Sequence, residues 1–400
     1  MIATTARPVS RWAVLGLALV AQACRGAEPP ARPSTTPTNG AAPSVRFEHL
    51  YDITFSGDGI PMTMIHDASN RPCLYVASKE GGLRIYDIVD SPRLARTIPA
   101  PDLGAMHVMS LAQSGNRLYL ALGNHWGRSE GAGLAVIDVR DPARASLAGT
   151  WKDGEPAGGG GAVAVSGSTA YLAAMGSGLI VLDVSVPSAI GVAARLVPDV
   201  AFPDARPDRK KINARGLALH NNLLFLCYDA GGVRVIDIAD RRKPVEVGRY
   251  SNPAMNGRPR AYNNIAVHGN LACVTADYVG LEILDIANPR AIKLVSWWNP
   301  WNPQLNGWQW FSSLGHANEI AYDATSGVVM MAAGRSDLVA VDVSDPAHPR
   351  QVGGIGEVDD TKATWGLALH GDRVYLSYIR TLGIPFRADW AGVRAFRYRR

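Results

Sequence analysis

The sequence predicts an all-β fold, a seven-bladed β-propeller, and three observations carry that prediction. A phrase of the form Gly-Leu-x-Val-x-Asp recurs along residues 45–400. Its copies end at Asp87, Asp138, Asp183, Asp237, Asp285, Asp342 and Arg397, so subtraction gives successive intervals of 51, 45, 54, 48, 57 and 55 residues. That spacing suits blades of four strands each. Beyond the first 23 residues, no stretch has a helical hydrophobic period.

Each unit has the same internal order. A short apolar strand such as 216–220 comes first, and a polar turn and a second strand, 223–228, follow. A glycine-containing loop then leads into the strand of the recurring phrase. An Asp-Pro or Asn-Pro turn and a more polar fourth strand, such as 351–354, close the unit. β-Branched and aromatic residues bounded by Gly, Pro, Asn and Asp are the usual signal for strands.

The aspartate that ends each phrase is predicted to be structural. Its carboxylate can accept hydrogen bonds from backbone N–H groups of the turn that follows. Six equivalent carboxylates on six blades would be held far apart by the rotation of the ring, which does not suit catalysis.

Closure of the ring can also be predicted. The chain ends just after the third strand of the seventh unit, and residues 45–54 have the composition of a strand. We expect this segment to supply the missing fourth strand of the last blade, because that removes a free sheet edge. The predicted propeller domain is therefore 45–400.

The first 44 residues are predicted to be a targeting segment and a tether. Arg7 and Arg11 flank an apolar stretch, 12–23, that is too short to span a bilayer. Residues 1–23 then form a signal peptide, and the Pro- and Ala-rich 24–44 form a flexible tether. Two interpretations stay open. Cys24 is lipidated, which gives an outer-membrane or cell-surface lipoprotein, or a signal peptidase releases a soluble periplasmic or secreted protein. We favour lipidation, because a tether is needed only when something is anchored.

Charge and cysteine content narrow the function classes. The net charge is +5 and the basic residues form no single face, which argues against nucleic-acid binding. Contact with a membrane is expected only through the lipid at Cys24. Cys73, Cys227 and Cys273 lie in apolar strands of different repeats, so we expect buried free thiols.

The repeated phrase resembles a known family. In its longer form, Gly-Leu-x-Val-x-Asp-Val-x-Asp-Pro, it is similar to the LVIVD repeat of bacterial and archaeal surface propellers. The resemblance covers residues 56–400; residues 342–346 are the best copy and 393–397 depart most. It implies an exported or anchored surface protein and says little about activity.

The mouth of the central channel is the first candidate site. Aligning the units on their first strands places one residue of each blade there, namely Met109, Gly161, Arg215, Asn263, Asn318 and Trp365. A small polar or anionic ligand would find a charged contact in Arg215 and a stacking surface in Trp365. The alternative is that these side chains only bind ordered water.

The second candidate is the tryptophan-rich connection 297–311. Trp301, Trp308 and Trp310 lie beside asparagines and prolines, a composition that suits sugar stacking or a protein anchor. The alternative is a loop packed onto the blades.

Four repeated histidines are not expected to form a cluster. They occupy one repeat position, at the end of the first strand, and should be spread around the face opposite the channel mouth. These residues are His66, His220, His268 and His370.

Two functions follow as hypotheses. The first is a non-catalytic module that binds a surface protein or a glycan through its loop face. The second is a hydrolase similar to propeller lactonases, with His107, Arg215, His316 and Glu319 at the channel mouth. We predict neither a cofactor nor a metal site, because the few inward carboxylates share the mouth with Arg215.

Overall fold

The computed structural model describes residues 45–400 except 58, 125–130, 156–157, 302–314, 357–359 and 383–386. These residues form seven four-stranded antiparallel sheets, so the predicted seven-bladed propeller is confirmed. None of the helices in these ranges has the length and hydrophobicity that crossing a membrane requires.

The strands follow the predicted order within each blade. Blade 1 has β2 (Met64–His66), β3 (Cys73–Ala77), β4 (Leu83–Asp87) and β5 (Arg93–Ile98); blade 2 has β6 (Val108–Ser114), β7 (Arg117–Leu122), β8 (Gly133–Asp138) and β9 (Ser146–Lys152); blade 3 has β10 (Ala162–Ser166), β11 (Thr169–Ala173), β12 (Leu179–Asp183) and β13 (Gly191–Leu196); blade 4 has β14 (Leu217–His220), β15 (Leu223–Cys227), β16 (Val233–Asp237) and β17 (Val245–Tyr250). Blade 5 has β18 (Ala261–His268), β19 (Leu271–Asp277), β20 (Gly280–Asp285) and β21 (Lys293–Trp298); blade 6 has β22 (Ile320–Asp323), β23 (Val328–Ala332), β24 (Leu338–Asp342) and β25 (Arg350–Ile355); blade 7 has β26 (Thr364–His370), β27 (Arg373–Tyr378), β30 (Gly392–Arg399) and β1 (Arg46–Thr54). The connections carry a short hairpin, β28 (Thr381–Leu382) with β29 (Arg387–Ala388), and 3₁₀ turns at Ala100–Leu103, Pro142–Arg144, Pro187–Ala189, Arg209–Lys211, Pro253–Met255 and Gly334–Ser336.

The N-terminal strand closes the ring as predicted. Strand β1 runs antiparallel to β30, from the pair Arg46–Arg399 to the pair Thr54–Gly392. Just before it, the backbone N–H of Val45 donates to the carbonyl of Val352 in blade 6 at 3.2 Å. Val45 is buried there. The first residues of the domain therefore tie blade 6 to blade 7.

The ring has two distinct faces. The first strands of all seven neighbouring blade pairs contact one another around the centre. Loops between second and third strands lie on the same face as the entries to first strands, because isolated bridges join Lys79 to Val108, Met175 to Ala214 and Asp229 to Tyr262. We call this the upper face. The turns between first and second strands lie on the lower face, where β1 begins.

The recurring aspartates are structural, as predicted. Each carboxylate accepts the backbone N–H of the residue two positions later, at 2.9–3.1 Å. These pairs are Asp87–Val89, Asp138–Arg140, Asp183–Ser185, Asp237–Ala239, Asp285–Ala287 and Asp342–Ser344. The turn that leads to each outer strand is fixed in this way.

In blades 2, 4 and 5, one position of the outer strand contacts the next blade. A Cβ atom placed on Gly149 would lie 1.7 Å from the carbonyl oxygen of Pro187, and one on Gly248 would lie 1.8 Å from that of Pro289. In blade 5 the equivalent residue is Ser296, whose hydroxyl donates to the carbonyl of Pro346 at 2.6 Å. The turn of the following blade therefore packs directly on this position.

The three cysteines of the propeller are free thiols, as predicted. Cys227 and Cys273 are buried and Cys73 is half-buried. Burial raises the pKa of the Cys273 thiol to about 12, so it behaves as a small apolar group.

The prediction that the repeated histidines stay apart is wrong for one pair. The rings of His66 and His370 stack with centroids 3.7 Å apart and planes 5° from parallel. These residues end the first strands of blades 1 and 7, which closure of the ring makes neighbours. Burial and the neighbouring His370 both lower the pKa of His66, while hydrogen bonding to the backbone of Asp67 opposes them.

Candidate functional site

A cavity of about 740 Å³ opens on the upper face, at the channel mouth over blades 4 and 5. Its wall includes Arg215, Asn263, Asn318 and Trp365, four of the residues predicted at the mouth, and also His316. Two connections form its sides, 197–216 between blades 3 and 4 and 251–260 between blades 4 and 5. We call them the first wall and the second wall. A cavity of this size is typical of small-molecule sites.

Arg215 is a half-buried cation in the wall of the cavity. It lies two residues before β14, and its backbone N–H donates to the carbonyl of Cys227 at 2.9 Å. Within the described ranges its guanidinium makes no hydrogen bond and no ion pair. Burial raises the pKa values of Asp229 and Glu319, and the charge of Arg215 opposes this rise, so both carboxylates lie near it. An anion entering the cavity would meet this guanidinium.

Two buried amides offer further unused polar atoms. Asn263 and Asn318 are each 6% exposed. The Asn263 amide donates to the carbonyl of Ala317 at 2.9 Å, which leaves its Oδ1 without a partner among the described residues. The Nδ2 atom of Asn318 likewise has no hydrogen-bond partner within the described ranges. Because buried polar groups are nearly always hydrogen-bonded, a ligand or water should complete them.

The sequence interpretation missed the acidic side of the cavity. Asp229 follows the second strand of blade 4, and Asp277 ends the second strand of blade 5. Both line the cavity wall. Asp229 accepts from Asn213 Nδ2 at 2.9 Å, and burial raises its pKa to about 6. Nδ1 of His316 lies 3.5 Å from Oδ2 of Asp277. Comparing the ends of second strands, and not only the starts of first strands, would have pointed to this pair.

Trp365 contributes less surface than predicted. Its side chain is 8% exposed and packs with Met62 and Met109 in an apolar cluster. Blades 1, 2 and 7 therefore fill their part of the channel mouth with apolar side chains. Polar groups come from blades 4 to 6, and stacking of a ligand ring on Trp365 is limited to the edge that reaches the cavity.

The structure does not assemble the predicted hydrolytic cluster. Arg215 and His316 line the cavity, but His107 and Glu319 do not. Glu319 instead accepts a hydrogen bond from Asn264 Nδ2 at 2.5 Å. Burial raises the pKa of Glu319 to about 7. In the described ranges no group of three or more His, Cys, Asp or Glu is placed to hold a metal ion.

Trp301 is a core residue and not the ligand-binding residue that the sequence predicted. It is 8% exposed and meets Trp298 edge to face, with ring centroids 5.7 Å apart. It belongs to the apolar cluster between blades 5 and 6, so its ring is not offered to a ligand. Trp308 and Trp310 lie outside the described residues, and so does Cys24.

Comparison with known proteins supports the repeat and the fold. The model of the LVIVD repeat matches residues 157–196, 213–252, 259–299 and 329–355, which correspond to blades 3 to 6. No curated protein sequence matches the chain.

Solved structures with a similar fold are β-propellers. The β-propeller domain of Cps50 (Swd1) from Myceliophteria thermophila is 13% identical, with a TM-score of 0.60 over 88% of this chain and 99% of that one. A chain of the mitotic checkpoint complex is 14% identical, with a TM-score of 0.58 over 93% and 96%. Sqt1 of Saccharomyces cerevisiae is 11% identical, with a TM-score of 0.54 over 83% of each chain. At these identities the likeness concerns the fold alone.

Proposed function

We propose that this β-propeller, whose blades 3 to 6 match the LVIVD repeat, is a non-catalytic binding module whose ligand occupies the upper-face cavity. One observation carries the proposal. Arg215, Asn263 and Asn318 come from three blades and line one cavity, and two of their amide atoms, Asn263 Oδ1 and Asn318 Nδ2, have no hydrogen-bond partner among the described residues. Such convergence in a concave site is what small-ligand recognition requires.

A glycan that carries a carboxylate is the ligand class that best fits these groups. Arg215 can donate to the carboxylate, as guanidinium groups commonly do. Hydroxyl groups can pair with Asn263, Asn318 and the carboxylate of Asp229. The cavity of about 740 Å³ accepts one or two sugar rings but no folded partner. A protein partner would have to insert an acidic side chain or its C-terminus.

We expect Arg215→Ala to weaken binding of an acidic sugar by at least about tenfold, because a charge-assisted hydrogen bond is lost. Calorimetric titration with D-glucuronate measures the change, and titration with D-glucose shows whether the carboxylate is what Arg215 recognises. Arg117→Ala is the matched control, since Arg117 is exposed on the lower face. Equal affinity of Arg215→Ala and the unmodified protein for glucuronate would contradict the proposed site.

We also propose that the protein is exported and anchored through a lipid on Cys24. The support is the apolar segment 12–23, the small residues before Cys24 and the Pro- and Ala-rich 24–44. Mass spectrometry of the mature N-terminus is expected to find an acylated Cys24. An unmodified Cys24 would favour the soluble periplasmic or secreted alternative.

A hydrolase is the second candidate. It is favoured by one feature of the cavity: His316 lies beside Asp277, while burial raises the pKa of Asp229 to about 6. These are properties of general acids and bases. Turnover of a lactone or ester by the protein, lost in His316→Ala, would favour this candidate over simple binding.

A further inference from the structure

Both walls of the cavity are held by buried charged residues that do not line it. We infer that Arg234 and Glu282 are positioning residues that set the shape, and so the ligand preference, of the upper-face cavity. The consequence for binding rests on the proposed function, whereas the anchoring of the walls does not.

Arg234 holds the first wall. Its side chain is fully buried in β16. One guanidinium nitrogen, Nη2, donates to the carbonyls of Asp199 and Phe202 at 2.9 and 2.8 Å, and Nη1 donates to Glu246 at 2.8 Å. Its Nε donates to the carbonyl of Gly231 at 3.0 Å. Arg234 thus fastens the backbone of 199–202 to blade 4, and Glu246 adds to this by accepting the backbone N–H of Asp199 at 3.2 Å.

Aromatic stacking completes this attachment. The guanidinium of Arg234 lies 5.0 Å from the ring centroid of Phe202, and that of Arg249 lies 4.8 Å from it. Arg249 also pairs with Asp199 at 2.8 Å. Phe202 and the following Pro203 are part of the cavity wall, so the anchor determines where that wall stands.

Glu282 holds the second wall. It is fully buried in β20, accepts from Asn252 Nδ2 at 2.5 Å and accepts from the Tyr262 hydroxyl at 2.9 Å. Asn252 in turn accepts the backbone N–H of Ala254 at 2.9 Å, which starts the 3₁₀ turn of this wall. At the other end, Arg260 donates to the carbonyl of Met255 at 2.7 Å.

The two anchors occupy the same position of the repeat, the variable residue after Gly-Leu. Apolar residues fill that position in three blades: Ala135, Ile180 and Val339. In blades 1 and 7 it is Arg84 and Arg394, whose guanidinium groups stack on Phe55 at 4.5 Å and on Tyr378 at 5.1 Å. Four blades therefore carry a charge at this position, and in the two blades beneath the cavity walls that charged side chain is fully buried.

Burial makes the coupling between anchor and wall strong. A buried charge costs free energy unless its hydrogen bonds are made, and here the wall makes them. Without the anchor, the backbone of the wall loses its fixed partners, and a ligand must order it on binding.

Hydrogen exchange tests the anchoring without any ligand. Arg234→Met is expected to speed amide exchange in 197–213 at least about tenfold while 251–260 stays protected, and Glu282→Leu is expected to do the reverse. Arg84→Met is the matched control and should change neither wall. Glu282→Gln keeps the shape of the side chain and one of the two acceptor oxygens, so it should restore protection of the second wall in part. Arg234→Lys should give an intermediate rate, and it replaces Arg234→Met if that variant does not fold.

Titration with D-glucuronate adds the functional readout. Affinity should fall at least about tenfold in Arg234→Met and Glu282→Leu and recover in part in Glu282→Gln. Unchanged exchange in both walls, or equal effects of Arg84→Met, would overturn the inference. Loss of protection confined to one wall, in a protein whose unmodified form does not bind glucuronate, would support the anchoring and contradict the proposed function.

Discussion

A chain that begins at Phe55, and so lacks Val45 and strand β1, is expected to lose at least about 4 kcal/mol of unfolding free energy. Two causes add. The deletion removes the pairing of β1 along β30, from Arg46 to Thr54. It also removes the buried side chains of Val45 and Ile53, each worth about 1.5–3 kcal/mol. Such a loss is a large part of the stability of an ordinary domain.

Urea unfolding measures this loss, and a chain that begins at Val45 is the control. That control removes everything before the propeller and should unfold like the full chain. A peptide of residues 45–54 should bind the truncated chain and restore part of its stability by adding the strand back. Equal midpoints for the two truncations would show that the ring does not depend on β1.

Gly248→Ala is expected to destabilise the propeller by about 2–4 kcal/mol. The added Cβ would lie 1.8 Å from the carbonyl oxygen of Pro289, which is backbone in the turn of blade 5. Blades 4 and 5 would therefore have to separate locally. Gly248 does not have a positive φ angle, so the expected effect is steric and not conformational.

Gly191→Ala is the control for this substitution. Gly191 also belongs to an outer strand, in blade 3, and a Cβ placed there meets nothing within 4 Å. We expect calorimetry to give the Gly191→Ala variant the same melting temperature as the unmodified protein within experimental error. If the Gly248→Ala and Gly191→Ala variants have the same melting temperature, blades 4 and 5 can move apart at this contact at little cost in free energy.

Much of the architecture could be predicted because it depends on local rules repeated seven times. Strand alternation, the aspartate turns and the count of strands in the last unit need no knowledge of distant contacts. The same symmetry placed Arg215, Asn263 and Asn318 at one mouth, since equal repeat positions become equal places around the ring.

Features that break the symmetry were not predictable in this way. The cavity walls are connections of unequal length, and their positions depend on the buried side chains of Arg234 and Glu282. Composition alone could not tell that Trp301 packs into the core, because exposure depends on the blades around it. The stacked pair of His66 and His370 follows from closure, which makes the ends of the sequence neighbours in space.

The direction of β1 has a consequence for access. The strand starts on the lower face, at the pair Arg46–Arg399, while the cavity opens on the upper face. With the lipid anchor that we propose at Cys24, the point of attachment lies on the face opposite the cavity. The thickness of the ring then separates the attachment point from the cavity mouth.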